Sequence, residues 1–377
     1  MRYCTNCLQP STRPNTKFDE LGNCPACRYH KTLIDVDWEE RFQLLEEMLS
    51  RHTKKESQKY DCIVGVSGGK DSTRQALFVR DKLKMNPLLV CMSYPPRQVT
   101  DLGAKNIGNL IELGFDIEVI GVSPHAWKKL IREAFLQFGN WGKATEMALF
   151  TSVPRLAILY DIPLILWGEN PALQVGDEGV SGAAGWDGNN IKNLNTLAGG
   201  DIQWMFDAGI DGKELFFFKY PQKVEFEEKK IKIIYLGWFL GDWSFKSNAL
   251  ASTSYGLSIR SDSPENTGDI SKVSSLDEDW VLMNQMIKYL KFGFGKTTEF
   301  VNEEIRNGRI LRAEAITLVE EYDGKCSDKY IQDFCHYIAI SRETFDEIIS
   351  QLTNAELFEP GGTRPRRKFS VGVGTGE

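Results

Sequence analysis

The stretch Ser67-Gly68-Gly69-Lys70-Asp71-Ser72 constrains this chain more than any other. It directly follows an apolar run, Cys62-Ile63-Val64-Gly65-Val66. It opens a segment, Thr73 to Leu83, in which Ala76, Leu77, Val79 and Leu83 can share one helical face. A strand, a glycine turn and a helix in that order present unpaired backbone N–H groups to an anion. Two glycines let the backbone come close to a phosphate and accept unusual dihedrals. Ser67 and Ser72 add hydroxyl donors, and Lys70 adds a positive charge. Asp71 is the odd member. A carboxylate beside a phosphate is repelled unless a cation lies between them, which points to Mg²⁺.

The common nucleotide-binding loop needs a glycine five residues before Gly69 and Ser or Thr after the lysine. Those positions hold Val64 and Asp71, and the three spaced glycines of dinucleotide-binding folds are absent. What remains, S-G-G-K-D-S after a strand, resembles the pyrophosphate loop of the ATP pyrophosphatases. That family splits ATP into AMP and pyrophosphate while activating a carbonyl-type oxygen as an adenylate. The competing reading is an ordinary glycine turn. On the resemblance, Ser67, Gly68, Gly69, Lys70, Asp71, Ser72 and Ser93 are candidate ATP-binding residues, with Lys70 and Asp71 the candidate catalytic pair.

Cys4-x-x-Cys7 and Cys24-x-x-Cys27 come first in the chain, with sixteen residues between the pairs. Two such pairs can hold one Zn²⁺ tetrahedrally, and the spacing favours this over free thiols or two redox dithiols. The site leaves no open ligand position and reads as structural. His30 is surplus to it. Residues 1–36 are thus expected to form a zinc ribbon. Residues 37–59 should form a helix and linker, with Trp38, Phe42, Leu45 and Leu49 on one face and Asp37 as N-cap.

From residue 60 strand and helix signals alternate, as in a parallel sheet with helices on both faces. Strands are expected at Leu88–Ser93, Phe115–Val122, Leu164–Trp167 and Ile231–Leu240, and helices at Asp101–Leu113, Pro124–Gln137 and Ala144–Tyr160. In such sheets ligands bind at the carboxyl ends of the strands, so the loops after Val66, Ser93, Val122 and Trp167 should converge. Gly168-Glu169-Asn170 follows Trp167 and is the candidate contact for substrate or Mg²⁺. It begins a long polar loop reaching Gly200. Trp238, Phe239, Trp243 and Phe245 can stack on a ligand or fill the core.

The expected fold class is therefore α/β, with the nucleotide-binding domain spanning residues 60–275. Residues 276–360 read as five helices, and 361–377 as a flexible tail. Lys291-Phe292-Gly293-Phe294-Gly295-Lys296 lies between the first two of these helices. It could hold an anionic substrate or be a simple turn.

The four-cysteine ribbon, S-G-G-K-D-S, W-G-E-N, K-F-G-F-G-K and the following Ile305-Arg306-x-Gly308 and Arg312-x-Glu314-Ala315 occur in one order over nearly the whole chain. That order resembles the N-acetyl sugar amidotransferases of bacterial surface-polysaccharide pathways, including O-antigen and lipopolysaccharide biosynthesis. The resemblance implies ATP-dependent conversion of an acetamido group on a nucleotide-linked sugar to an acetamidino group. It also implies two partners supplying ammonia, a glutaminase subunit and a cyclase-like barrel. The chain shows no glutaminase nucleophile of its own: residue 2 is Arg2, and Cys62 and Cys91 lie within strands. The alternative is a tRNA-thiolating ATP pyrophosphatase, which also carries a cysteine ribbon but needs a basic surface. A net charge of −7 argues against nucleic acid. No apolar run is long enough to span a bilayer and no signal peptide is evident, so a cytoplasmic location is expected.

Overall fold

The structure is a computed structural model and describes residues 1–52, 58–168, 171–174, 176, 185–194 and 196–375. The cysteine segment leads into α1 (Pro25–Thr32), and α2 (Trp38–Ser50) follows. Asp37 caps α2 as expected, its carboxylate accepting from the backbone N–H groups of Glu39 and Glu40 at 3.0 Å each. Then come β1 (Cys62–Gly65), α3 (Lys70–Asp81), β2 (Pro87–Met92), α4 (Asp101–Glu112), β3 (Ile117–Ile120), α5 (Pro124–Phe138), α6 (Gly142–Tyr160) and β4 (Leu164–Trp167). Three short helices, α7 (Pro171–Gln174), α8 (Gln203–Asp207) and α9 (Lys223–Lys229), precede β5 (Lys232–Tyr235).

The five strands are all parallel, in the order β3-β2-β1-β4-β5. The chain builds outward from β1 to β3 on one side and from β4 to β5 on the other. The crevice between β1 and β4 is therefore the switch point where such sheets bind ligands. β1, β2 and β4 read as unbroken apolar runs because both their faces are covered, whereas the edge strand β3 carries Glu118 and leaves Val119 exposed. Ile63, Val90, Ile165 and Ile233 meet Trp127 and Phe135 of α5 and Met147 of α6. Val64, Leu89, Leu166 and Ile234 meet Ala76 and Val79 of α3, Leu110 of α4 and Leu45 of α2.

After β5 the structure departs from the sequence reading. The strand expected to reach Leu240 stops at Tyr235, and Leu236–Trp238 is a 3-10 turn. A continuous apolar run does not distinguish a strand from a buried turn. Phe239 is core, while Trp238 lies under the Arg41 guanidinium at 3.7 Å from its ring centre. The next helices are α10 (Phe245–Thr253), which packs on α3 and was not legible in the sequence, and the single turn α11 (Pro264–Thr267).

The C-terminal helices are α12 (Trp280–Phe292), α13 (Lys296–Arg306), α14 (Arg312–Tyr322), α15 (Asp328–Ile338) and α16 (Arg342–Leu352). They dock on α5 through aromatic contacts. Phe135 stacks on Phe345 at 5.3 Å and meets Phe334 edge-on at 5.2 Å, so one apolar cluster runs from the sheet into these helices. Expected as flexible, the tail instead folds back. Phe369 and Val371 are buried, and the amino group of Met1 donates to Thr375 Oγ1 at 2.6 Å.

Candidate active site

The loop after β1 turns at Gly68, whose φ is +75°. A Cβ there would also lie 3.2 Å from Asn106 Cβ and 3.3 Å from Ile107 N, so glycine meets both a dihedral and a space requirement. Gly69 is the N-cap of α3, and no side chain among the described residues caps the helix. The first N–H groups of α3 therefore face the carboxyl ends of the strands with the positive end of the helix dipole behind them. Ser72 Oγ donates to Gly69 O at 3.2 Å and accepts from Ser67 N at 3.4 Å, which ties the two ends of the turn together.

Lys70 is buried, so its ammonium needs partners. Asp71 Oδ2 lies 2.6 Å away, and the ring of Phe245 is 3.7 Å below. Asn248 Nδ2 donates to the other carboxylate oxygen of Asp71 at 2.6 Å. Ser252 Oγ donates to Lys70 O at 2.5 Å. Asn248, Ser252 and Ser244 all lie on α10 or at its N-cap, are buried, and are spaced by four residues. That polar stripe is the face α10 turns to the loop. Its signal in the sequence is small polar residues at helical spacing, which a search for apolar periodicity passes over.

A cleft of about 310 Å³ opens above the loop. Ser67, Gly69, Lys70, Asp71 and Ser72 line it, together with Val90 and Met92 of β2, Trp167 and Gly168 at the end of β4, and Asp277 and Lys296 from the C-terminal part. Two of the four loops expected to meet do so, those after β1 and β4, while β2 contributes strand residues rather than its following loop and the loop after β3 is not in the lining. Ser93 itself is not in the lining, and its hydroxyl donates to Tyr94 O at 3.1 Å. Glu169 and Asn170, the other two candidates in their loop, lie outside the described residues. Asp277 was not singled out from the sequence. Burial pushes its carboxyl up to about 6.

The glycine-lysine turn at Gly295-Lys296 is built differently from its expected role. Asp323 occupies the N-terminus of α13, accepting from Gly295 N at 2.7 Å, Thr298 N at 3.2 Å and Thr298 Oγ1 at 2.5 Å. Lys291 turns away and donates to Phe138 O at 3.1 Å. Only Lys296 reaches the cleft, with Glu299 3.6 Å away.

Cys4, Cys7, Cys24 and Cys27 are buried, with their sulfur atoms within 4.8 Å of one another. Cys7 and Cys24 are 3.7 Å apart, close to the edge of about 3.8 Å that a tetrahedron with Zn–S bonds of 2.3 Å requires. Backbone N–H groups of Cys24 and Gln9 point at Cys4 Sγ and Cys7 Sγ at 3.2 and 3.4 Å, as thiolates need. The four could hold a structural metal such as zinc. Leu8 N donates to Asn302 Oδ1 of α13 at 2.7 Å, joining this centre to the C-terminal helices. Cys62 and Cys91 are buried in their strands. Burial pushes the Cys91 thiol up to about 12 and Cys62 higher, the wrong direction for a nucleophile.

Residues 267–365, which span α12 to α16, match the family model described as LPS biosynthesis protein WbpG-like, C-terminal domain. No curated protein matches the chain. The match supports a place among proteins of lipopolysaccharide biosynthesis. No helix among the described residues is long and apolar enough to cross a membrane.

Proposed function

We propose that the chain is an ATP-dependent, AMP-forming amidotransferase of the ATP pyrophosphatase type. Its substrate would be an acetamido group of a nucleotide-linked sugar, converted to an acetamidino group for a bacterial surface glycan such as O-antigen. The observation that carries this reading is the uncapped N-terminus of α3, with Lys70 beside it, opening into the cleft at the sheet's switch point. The match of residues 267–365 to a lipopolysaccharide-biosynthesis domain supports the glycan side of the reading over a nucleic-acid one.

In this reading the N–H groups of the loop and Lys70 hold the β- and γ-phosphates of ATP and stabilise the departing pyrophosphate. The amide oxygen of the sugar attacks the α-phosphorus. The P–O bond to pyrophosphate breaks, leaving an O-adenylated imidate. Ammonia then adds to the imidate carbon, and the former amide oxygen leaves on AMP. Asp71 is a hard-oxygen ligand at the lip of the cleft, which suits Mg²⁺. The ion would neutralise phosphate charge. To release that carboxylate, Lys70 would exchange Asp71 for phosphate, a swap of one anionic partner for another. The walls of the cleft would align the amide oxygen with the α-phosphorus. Ammonia would come from a glutaminase subunit and its cyclase-like barrel.

The test is incubation with ATP, ammonium and a panel of acetamido nucleotide sugars, followed by mass spectrometry. A product about one mass unit lighter, from oxygen replaced by NH, with AMP formed in step, is the expected result. ATP consumption without any sugar product would overturn it.

A further inference from the structure

The Lys70–Asp71 pair is the inner end of a longer polar chain. Asn248 Nδ2 donates to Asp71 Oδ1 at 2.6 Å, and Asn248 Oδ1 accepts from Arg74 Nη1 at 2.6 Å. Arg74 Nη2 continues to Asp242 Oδ1 at 2.6 Å, and its Nη1 also meets Asp242 O at 3.3 Å. The ring centre of Trp243 lies 5.3 Å from the guanidinium carbon. Asp242, Arg74, Asn248, Asp71 and Lys70 are thus joined in series, from an exposed carboxylate to a buried ammonium. The chemistry of the donors gives this chain a direction. An arginine donates and never accepts, so the oxygen of the Asn248 amide must face Arg74 and its NH₂ end must face Asp71. Were the amide turned round, two donors would meet at Arg74 and two acceptors at Asp71. Joining α10 to α3 needs none of this, because the helices pack on each other and Ser252 Oγ already donates to Lys70 O. What the chain adds is a fixed neutral donor on the carboxylate of the loop.

We infer that Arg74 and Asn248 are positioning residues for Asp71: Arg74 locks the Asn248 amide, and the locked N–H keeps the Asp71 carboxylate in place when Lys70 turns to a phosphate. The inference rests on the phosphate-loop reading for its purpose, since Asp71 needs a second holder only if Lys70 leaves it. A carboxylate released beside the phosphates is repelled by them, and the Asn248 N–H opposes that displacement. The neutrality of Asn248 matters as much as its hydrogen bond. It holds Asp71 without cancelling the charge that a cation at the lip of the cleft would meet, whereas a lysine or arginine in its place would compete with that cation. The charge of Arg74 is balanced one step further out, on Asp242. No proton moves and no covalent bond changes in this exchange of partners.

Two measurements test it. The first needs no turnover and follows solvent exchange of the Asn248 side-chain amide in ¹⁵N-labelled full-length protein, assigned as the resonance pair lost in Asn248→Ala. Arg74→Met removes the lock and should speed this exchange about tenfold or more, and Arg74→Lys, which keeps a donor, should restore much of the protection. Unchanged exchange in Arg74→Met overturns the lock even if sugars are turned over. Faster exchange in that variant, with no sugar turnover by the wild type, would keep the lock and overturn the amidotransferase reading. The second measurement separates kcat from KM. Arg74→Met should lower kcat for AMP formation about tenfold while the KM for ATP changes less than about twofold. Asn248→Asp keeps the size of the side chain and still accepts from Arg74, but sets a second carboxylate against Asp71; it should lower kcat about a hundredfold. A rise in KM alone would mean that these residues bind ATP rather than position Asp71, and would overturn the assignment. Wild-type kcat in Asn248→Asp would overturn it equally.

Discussion

α3 and α13 each have glycine as N-cap and lysine as first helical residue, and of the two only α3 begins with an open anion site. α3 starts at Gly69-Lys70 with no side chain among the described residues on its N-terminal N–H groups. α13 starts at Gly295-Lys296 with Asp323 bound across Gly295 N and Thr298 N. Both ends carry the same partial positive charge. The difference is that α13 is already neutralised by a carboxylate from the protein, whereas α3 faces a cleft and has its lysine parked on Asp71. A helix start is an anion site for a ligand only where the fold has not spent it on itself.

The largest expected effect is at the open end. Lys70→Ala should lower AMP formation by about 10² to 10³, the scale seen when one donor to a developing anion is removed. The variant should keep its fold, because the lost cation leaves Asp71 with Asn248 and an open cleft rather than a sealed core. AMP production at the wild-type rate would remove the functional distinction between the two ends.

At the closed end the effect should be on stability. Asp323→Ala strands two backbone N–H groups and the Thr298 hydroxyl, and should cost about 2 kcal/mol in urea unfolding. It should also convert α13 into an anion site, so that sulfate raises the stability of the variant more than that of the wild type. Equal responses to sulfate would mean that Asp323 does not occupy a latent site.

What could be read from the sequence follows from the same physics. β1, β2 and β4 were legible because both faces of a parallel sheet are buried and each strand shows as a short apolar run. The helix start at Asp37 was legible because a capping side chain is a local event. The loop from Ser67 to Ser72 is contiguous and could be found whole. Asn248 could not, because it lies 177 positions beyond Asp71 and meets it only in the folded chain. Asp323 was invisible for the same reason, 28 residues beyond the glycine it caps. A motif therefore announces a possible site, while the partner that closes or completes it comes from tertiary structure.

The smallest effect concerns a carboxylate that lines the open cleft. Asp277 stands just before α12, whose first N–H groups go to its neighbour: Glu278 accepts from Trp280 N and Val281 N at 2.8 Å each. Asp277 is left with burial as the dominant influence, relieved in part by Arg260, and its carboxyl is pushed up to about 6. In the unfolded chain it titrates near 3.9. The folded state therefore binds this proton more tightly than the unfolded state does. The stability that the proton contributes is complete below about pH 4 and is lost as pH rises through about 6. Asp277→Asn has no such proton to lose. Between pH 4 and 7 the wild type should fall relative to the variant by about 1 kcal/mol, after allowance for the open cleft beside the group. The Asp277 charge also helps to raise Glu278, so removing it relieves both carboxyls in the same direction. Urea midpoints at the two pH values provide the measurement. Parallel changes in wild type and variant would show that the Asp277 charge is satisfied in the folded protein after all.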